Sequence, residues 1–197
     1  MKSESIIKAI KLIYPQIQGG FIYWETQSNG KPWENPIDGL VWENPQYPKP
    51  TWAQIEPLLA EIELQKAKEV KIAEIKEKRD VENIKPLIRQ GNLVNPATME
   101  ILPETIQFYF VATRHPTNQA SDAGTLLDQA QKRGLIPYFT KNVATNQKAV
   151  IALTAELSTN IENHLLNRNA TNYYHYGQLE AQINNATTIE QVEAITW

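Results

Sequence analysis

A run of strong helix formers from residue 52 to about residue 84 is the feature that most constrains this chain. Ala, Leu, Glu, Lys and Gln dominate the run, and all five have high helix propensity. Thr51 is placed to cap the first turn, with Gln54 as its capping-box partner. Lys85-Pro86 then favours a stop, because the residue before a proline avoids helical dihedral angles. The sequence predicts one charged helix of about 30 residues, roughly 45 Å long, between two smaller ends of the chain.

The apolar positions of this helix do not continue as a coiled-coil seam. The register begins at Ile55, Leu58 and Ile62, and it continues through Gln65, Glu69, Ile72 and Lys76. Three of these last four positions are polar, whereas a convincing coiled coil needs three or four sustained heptads. Two interpretations stay open: a connector that is solvated or packed within the chain, and a helix that self-associates weakly.

The first 50 residues predict a small subdomain rich in tryptophan and proline. Residues 5–14 have isoleucines at helical spacing, and Pro15 ends that short helix. Residues 21–25 are aromatic and β-branched, which indicates a strand, and Ser28-Asn29-Gly30 is typical of a hairpin turn. Six prolines between positions 32 and 57 exclude a long helix there. We therefore expect a small helix and β-hairpin region.

Residues 86–197 predict a mixed domain with short antiparallel strands and three terminal helices. The segment 105–111 alternates as a half-buried strand does, with Ile106, Phe108 and Phe110 on one face. A hairpin is predicted from residues 136–140 and 148–153, around a turn at 142–146. The chain is thus assigned to the α+β class. It is divided into an N-terminal subdomain (1–50), a long connector helix (51–85) and a C-terminal α+β domain (86–197).

Cap residues predict where the C-terminal helices begin and end. Ser121 caps a helix that Gly134 stops, and Thr154 caps the next one. A polar, Asn-rich loop is expected at residues 173–176, followed by a short helix over 178–185. Thr187 is expected to cap the last helix, after which the terminal tryptophan packs back on the core.

Composition and charge exclude several functional classes. The net charge of −3 and the pI of about 5.7 lack the basic balance of nucleic-acid-binding proteins. No run approaches the roughly 20 apolar residues of a membrane span. The chain has no cysteine, which excludes disulfides and thiolate chemistry and fits folding in a reducing cytoplasm. Since it also has no Walker loop, G-x-S-x-G elbow or HExxH motif, we expect no enzyme, no cofactor and no metal.

The three histidines do not form a zinc-binding pattern. The spacings between His115, His164 and His175 match no zinc signature. His164 shares a helix face with Leu157 and Ile161, which predicts a partly buried core histidine.

Two aromatic clusters are the best candidates for recognition. The first consists of Trp24, Trp33, Trp42 and Tyr47, and the second of Tyr173, Tyr174 and Tyr176. Exposed Trp and Tyr are enriched at protein interfaces. For the first cluster, an interface and the small core of a proline-rich subdomain stay open as interpretations. For the second, a carbohydrate is the alternative to a protein partner.

Turn and cap residues carry a resemblance to two phage families. In the N-terminal part they are Ala9-Ile10, Tyr14-Pro15, Gly20-Phe21, Gly30, Trp42 and Pro50-Thr51, before the Glu- and Lys-rich helix. This part resembles the small XkdW-like proteins of prophage tail regions. Residues 150–157 and 186–195, with the closing Trp197, resemble a domain of unknown function at the ends of phage tail-fibre and tail-associated proteins. A duplicated Trp-Glu-Asn-Pro, at 33–36 and 42–45, departs from the first family's pattern.

The resemblance implies a structural component of a phage tail, near the baseplate or the point of fibre attachment. Such a protein is synthesised and folded in the host cytoplasm, and it binds other tail, baseplate or fibre proteins through its two ends. A homo-oligomer is also implied, whereas no nucleic acid or membrane partner is expected. A fibre-assembly chaperone that is not retained in the virion is the alternative, and a carbohydrate-binding module is a further one. Neither family contributes catalytic residues.

Overall fold

A computed structural model describes residues 3–17, 22–24, 33, 37–111 and 123–197. In chain order the elements are α1 (Ser3–Ile13), β1 (Ile22–Trp24), β2 (Leu40–Trp42), α2 (Trp52–Ile84), β3 (Leu87–Val94), β4 (Ile101–Phe110), α3 (Ala123–Arg133), β5 (Leu135–Lys141), β6 (Lys148–Thr154), α4 (Ala155–Asn185) and α5 (Ile189–Ala194). Five helices and a four-stranded antiparallel sheet among these residues confirm the α+β class. The predicted turn at 28–30 and the predicted cap Ser121 lie outside the described residues.

The chain forms two compact units. The first comprises Met1–Ala73 with Gln182–Thr196, and the second Glu74–Ala181 with Trp197. Two of the three boundaries fall within long helices, α2 and α4, whereas the sequence divides the chain at the ends of a connector helix. The three-part organisation stays a prediction.

Helix α2 has the extent that its composition predicts. It begins after Thr51, whose backbone N–H donates to Gln54 Oε1 at 2.9 Å, which is the Gln54 half of the expected capping box. The Gln54 N–H donates to the Thr51 carbonyl at 3.1 Å. Pro57 lies inside the helix without ending it. The helix stops at Ile84, two residues before Pro86, as the restriction on residues preceding proline requires.

The first half of α2 contributes to the core of the first unit. Ile55, Leu59 and Ile62 are buried there against the apolar face of α1, where Ile6 and Ile10 are also buried. Strands β1 and β2 pair antiparallel beside this core, since β2 supplies another buried side chain to it. The early apolar register of α2 is therefore used within the chain.

The sheet of the second unit curls until its two outer strands meet. The strand order is β4-β3-β6-β5, and all neighbours are antiparallel. At one point the outer strands close on each other: Phe108 of β4 bridges to Asn142 after β5, and the Val143 N–H donates to Gln107 O at 2.9 Å. Phe108 and Ile151 are fully buried inside the curl, in a core that α3 and α4 complete.

The two hairpins of this sheet use the same turn. Asn95 begins the β3–β4 turn and Asn142 begins the β5–β6 turn, and each side-chain oxygen accepts the N–H two residues further on, at 3.0 and 2.8 Å. Met99 and Asn146 close the turns with φ of 60° and 56°, each donating its N–H to the carbonyl of the leading asparagine. Asparagine suits the first position because its side chain satisfies the backbone of the turn. The predicted hairpin around residues 142–146 is confirmed.

Helix α4 corrects the predicted loop at residues 173–176 and the separate helix at 178–185. It runs unbroken from Ala155 to Asn185, so all these residues belong to one helix. Gly177 lies inside it at a cost of about 1 kcal/mol relative to Ala, which packing outweighs. The predicted cap Thr154 is confirmed, since its Oγ1 accepts the Leu157 N–H at 3.1 Å. For α5 the N-cap is Thr188 and not Thr187.

Candidate functional site

The core of the curled sheet continues into an open groove at one end. Along β4, alternate side chains pass from the fully buried Phe110 and Phe108, through the half-buried Ile106, to the exposed Glu104 and the half-buried Leu102. Side chains on one face of a strand recur every second residue, so Phe110, Phe108 and Ile106 form one surface. Beyond Ile106 the β3–β4 register shifts between Asn92 and Val94, and Glu104 and Leu102 lie in the bulged part of β4. Where these side chains cease to be covered, they line a groove of about 870 Å³. A groove at the mouth of a curled sheet is a common location for a binding site.

The two hairpins form the walls of this groove. One wall carries Leu93, Leu102 and Ile106 from β3 and β4. The other is formed by β5 and β6, which contribute Thr140 and Ala149 from the side that faces the core and Phe139 and Val150 from the opposite side. Phe139 and Val150 are direct partners across the β5–β6 ladder. The groove is lined by apolar and polar residues in equal number, and most of them lie on strands that hold their side chains in fixed positions.

Phe139 is exposed because it lies on the side of β5 that faces away from the core. Ile136 and Tyr138 alternate inwards, and Tyr138 contacts the rings of Phe108 and Phe110 at centroid distances of 6.0 and 5.1 Å. The next side chain must therefore point to the other side of the strand, and Phe139 is 71% exposed. A large apolar side chain left in solvent beside a partly apolar groove indicates a contact surface.

Two lysines stand side by side at the end of the same hairpin. Lys141 and Lys148 are direct cross-strand partners, both are exposed and both line the groove. Like charges directly opposite each other destabilise a sheet. Neither ammonium group has an ion pair among the described residues. Glu104, on the opposite wall, is the carboxylate among the lining residues.

The second aromatic cluster lies on α4 and surrounds an arginine. The Arg79 guanidinium of α2 is 4.4 Å from the ring centroid of Tyr173 and 4.7 Å from that of Tyr176, and it also pairs with Asp80 at 2.6 Å. Tyr176 donates to Glu180 at 2.9 Å, and burial raises the pKa of its phenol. Two of the three tyrosines therefore have contacts within the unit, while Tyr174 is 70% exposed.

The first aromatic cluster is divided by the fold. Trp42 is partly buried against the core of the first unit and donates from Nε1 to Tyr47 O at 2.8 Å. The ring of Tyr47 is 5.0 Å from that of Tyr14, which also approaches Trp42. Trp33 is 37% exposed, and the side chain of Trp24 falls outside the described part of the structure. The contacts of Trp42 and Tyr47 favour the small-core interpretation for these two, and the interface interpretation of the cluster stays a prediction.

The histidines have different surroundings from those expected. His164 is exposed and not part of the core, because it lies beside the buried stripe of Leu157 and Ile161 and not within it. Although His164 is exposed, neighbouring atoms shield its imidazole from part of the solvent, and this desolvation, followed by the positive charges of Arg89 and Arg168, lowers its pKa. His175 makes an edge contact with the ring of Trp197, whereas His115 lies outside the described residues.

No cluster of three or more His, Asp or Glu side chains in the described ranges could hold a metal ion. Of the helices that the structure describes, none combines the length and the apolar character needed to span a bilayer. The groove itself was not predicted. Two features of the sequence could have indicated it: Phe139, which alternates with the core-facing residues of β5, and the lysines Lys141 and Lys148 on either side of the β5–β6 turn.

No family model, no curated protein and no solved structure matches this chain.

Proposed function

We propose that this chain is a structural adaptor of a phage tail, at the baseplate or at the attachment point of a fibre. It binds other virion proteins and has no catalytic step of its own. The observation that carries the proposal is the groove of the second unit, with Phe139 exposed at its wall. The assignment to a tail rests on the resemblance of the turn and cap residues.

The composition of the groove supports binding in preference to catalysis. Its lining includes Leu93, Leu102 and Ile106 on one wall and an exposed aromatic side chain, Phe139, with Val150 on the other. Buried apolar patches with a central aromatic anchor and a charged rim are typical of protein interfaces. Acid–base catalysis instead requires a titratable group placed within about 3 Å of a reacting atom, and usually a partner that tunes it. The charged groups of the groove, Glu104, Lys141 and Lys148, are all exposed, which suits a rim.

The test is mass spectrometry of purified virions from the phage or prophage that encodes the chain. We expect its peptides in mature particles, in a ratio to the major tail proteins that stays constant through repeated purification. Absence from mature particles, combined with co-purification with an unassembled fibre, would establish the assembly chaperone instead. Absence from both would refute the proposal.

A second experiment tests whether the groove is the binding surface. Phe139→Ser should reduce incorporation of the chain into particles, because it removes an exposed aromatic anchor while leaving the inward positions of β5 intact. Leu166→Ser is the matched control, since Leu166 is also exposed, at 60%, and does not line the groove. Equal incorporation of both variants would show that binding uses another surface.

A further inference from the structure

We infer that the groove binds an extended, acidic segment of a partner protein, in which carboxylates flank large apolar side chains. This inference rests on the proposed function in one respect only, namely that the partner is another tail protein. The charge and shape of the groove specify the chemistry of the segment. The observation behind it is the pairing of Lys141 and Lys148 beside Phe139.

The lysine pair points to an anionic partner. Lys141 and Lys148 are in register on neighbouring strands, so their Cβ atoms are roughly 5 Å apart, which is the usual distance for directly opposite residues. Neither has an ion pair among the residues that the structure describes, and the nearest turn is uncharged, Asn-Val-Ala-Thr-Asn-Gln. The hairpin therefore carries two uncompensated positive charges whose mutual repulsion a bound carboxylate would relieve.

The apolar residues of the β5–β6 wall specify the rest of the segment. Phe139 and Val150 lie on the same hairpin as the two lysines, and each is two residues further from the turn than the lysine on its own strand. A segment that places a carboxylate at the lysines would thus bring an adjacent apolar side chain against Phe139 and Val150. Glu104 on the opposite wall would repel a segment that is acidic along both edges. The preferred segment therefore carries its carboxylates on the edge that faces β5 and β6.

An extended segment suits the groove better than a helix. The groove lies between two hairpins, and its walls present side chains at the two-residue period of strands. A strand-like segment has the same period, so alternate side chains point to one wall. An α-helix presents its contact residues at i, i+3 and i+4, a spacing that does not match the two-residue period of the walls.

A peptide titration of the full chain tests this inference. The probe is a blocked ten-residue peptide in which glutamate alternates with leucine or phenylalanine, and its counterpart carries lysine at every glutamate position. Amide chemical shifts of the ¹⁵N-labelled chain are followed up to millimolar peptide. We expect shifts concentrated at Leu102, Phe139, Lys141 and Lys148 with the acidic peptide, and an affinity at least about tenfold weaker with the basic one.

Charge-reversed variants locate the effect. The double variant Lys141→Glu, Lys148→Glu should bind the acidic peptide at least about tenfold more weakly, because two attractive contacts with its carboxylates become repulsive. The same variant should bind the basic peptide more tightly than the wild-type chain does. The control pair is Lys76→Glu with Lys132→Glu, which changes the net charge equally outside the groove and should leave the affinity unchanged. Raising the salt concentration should weaken binding of the acidic peptide to the wild-type chain, and it should strengthen the residual binding to the groove variant because it screens the new repulsion.

The outcomes separate this inference from the proposed function. Shifts that avoid the groove, equal affinity for both peptides, or equal loss in the control pair would each overturn the acidic-segment inference. If virions contain the chain while the groove variant is incorporated normally, the adaptor function stands and the inference fails. If the acidic peptide binds in the groove while the chain is absent from virions and from fibre complexes, the inference stands and the tail function fails.

Discussion

Replacing Gly91 with alanine should destabilise the second unit, although the same change elsewhere stabilises proteins. A Cβ at position 91 would lie 2.7 Å from Ile151 Cγ2 and 3.0 Å from Phe108 Cε1. Carbon atoms in contact are normally about 3.5–4.0 Å apart, so two fully buried side chains would have to move. Overpacking of this kind costs about 1–3 kcal/mol. The reduced entropy of the unfolded chain returns about 0.4–1 kcal/mol, which leaves a net loss of up to about 2.6 kcal/mol, centred near about 1.3 kcal/mol.

Gly177→Ala is the matched control for this prediction. Gly177 lies inside α4, and a Cβ there would meet nothing within 4 Å. Alanine is favoured over glycine by about 0.8–1 kcal/mol in a helix interior, so this variant should be more stable than the wild type. The stabilities of the two variants should therefore differ by roughly 1–3.5 kcal/mol, with Gly177→Ala the more stable.

Urea denaturation followed by circular dichroism measures both variants. Because the chain has two compact units, amide hydrogen exchange of β3 and β6 should accompany it, so that the loss is assigned to the second unit. If Gly91→Ala were as stable as the wild type, or were stabilised as much as Gly177→Ala, the close contact with Ile151 and Phe108 would not exist in solution.

Three further variants test the turns, the helix junction and the charge of the second unit. Asn142→Ala should lower thermal stability by about 1 kcal/mol, because two turn N–H groups lose their acceptor; unchanged calorimetry would contradict the shared turn. Arg168→Met should lower the free energy of unfolding in urea by about 1–2 kcal/mol, since the guanidinium donates to the carbonyls of Asn83 and Lys85 at the end of α2. Arg168→Lys should lose less stability than Arg168→Met, yet remain below the wild type. The pKa of His164 lies below its usual 6.5 because of desolvation first and the neighbouring arginines second. The folded state therefore binds a proton at this imidazole less readily than the unfolded state does. Stability should therefore fall as the pH drops below 6.5, and His164→Gln should reduce that slope in melts across pH 5–8; an unchanged slope would refute it.

The elements that the sequence predicted well are those governed by local chemistry. Helix α2 follows from its composition, its capping box and the proline after it, all of which lie within a few residues of its ends. The hairpin around residues 142–146 follows from alternating strands and an asparagine turn. Such signals depend on neighbours in sequence, so one sequence is enough to read them.

The unbroken helix α4 was missed because its middle is stabilised from outside. Its Asn-rich segment and Gly177 have low helix propensity, which locally predicts a loop. In the structure, Tyr173 and Tyr176 pack around Arg79 of α2, and Arg168 bonds carbonyls at the end of the same helix. These partners are about 85 to 100 residues away in sequence, so no local pattern reveals them.

The groove was missed for a related reason, and its charges explain why it remains open. Its shape depends on the meeting of Phe108 and Asn142, which closes the sheet beside the groove and which no strand pattern predicts. β4 is an outer strand of the sheet, and an outer strand with an apolar face invites pairing with another copy of the chain. Pro103, which has no N–H to donate to a ladder, and the adjacent charge of Glu104 oppose such pairing. The arrangement disfavours self-association at this surface and leaves it available to a segment of complementary charge.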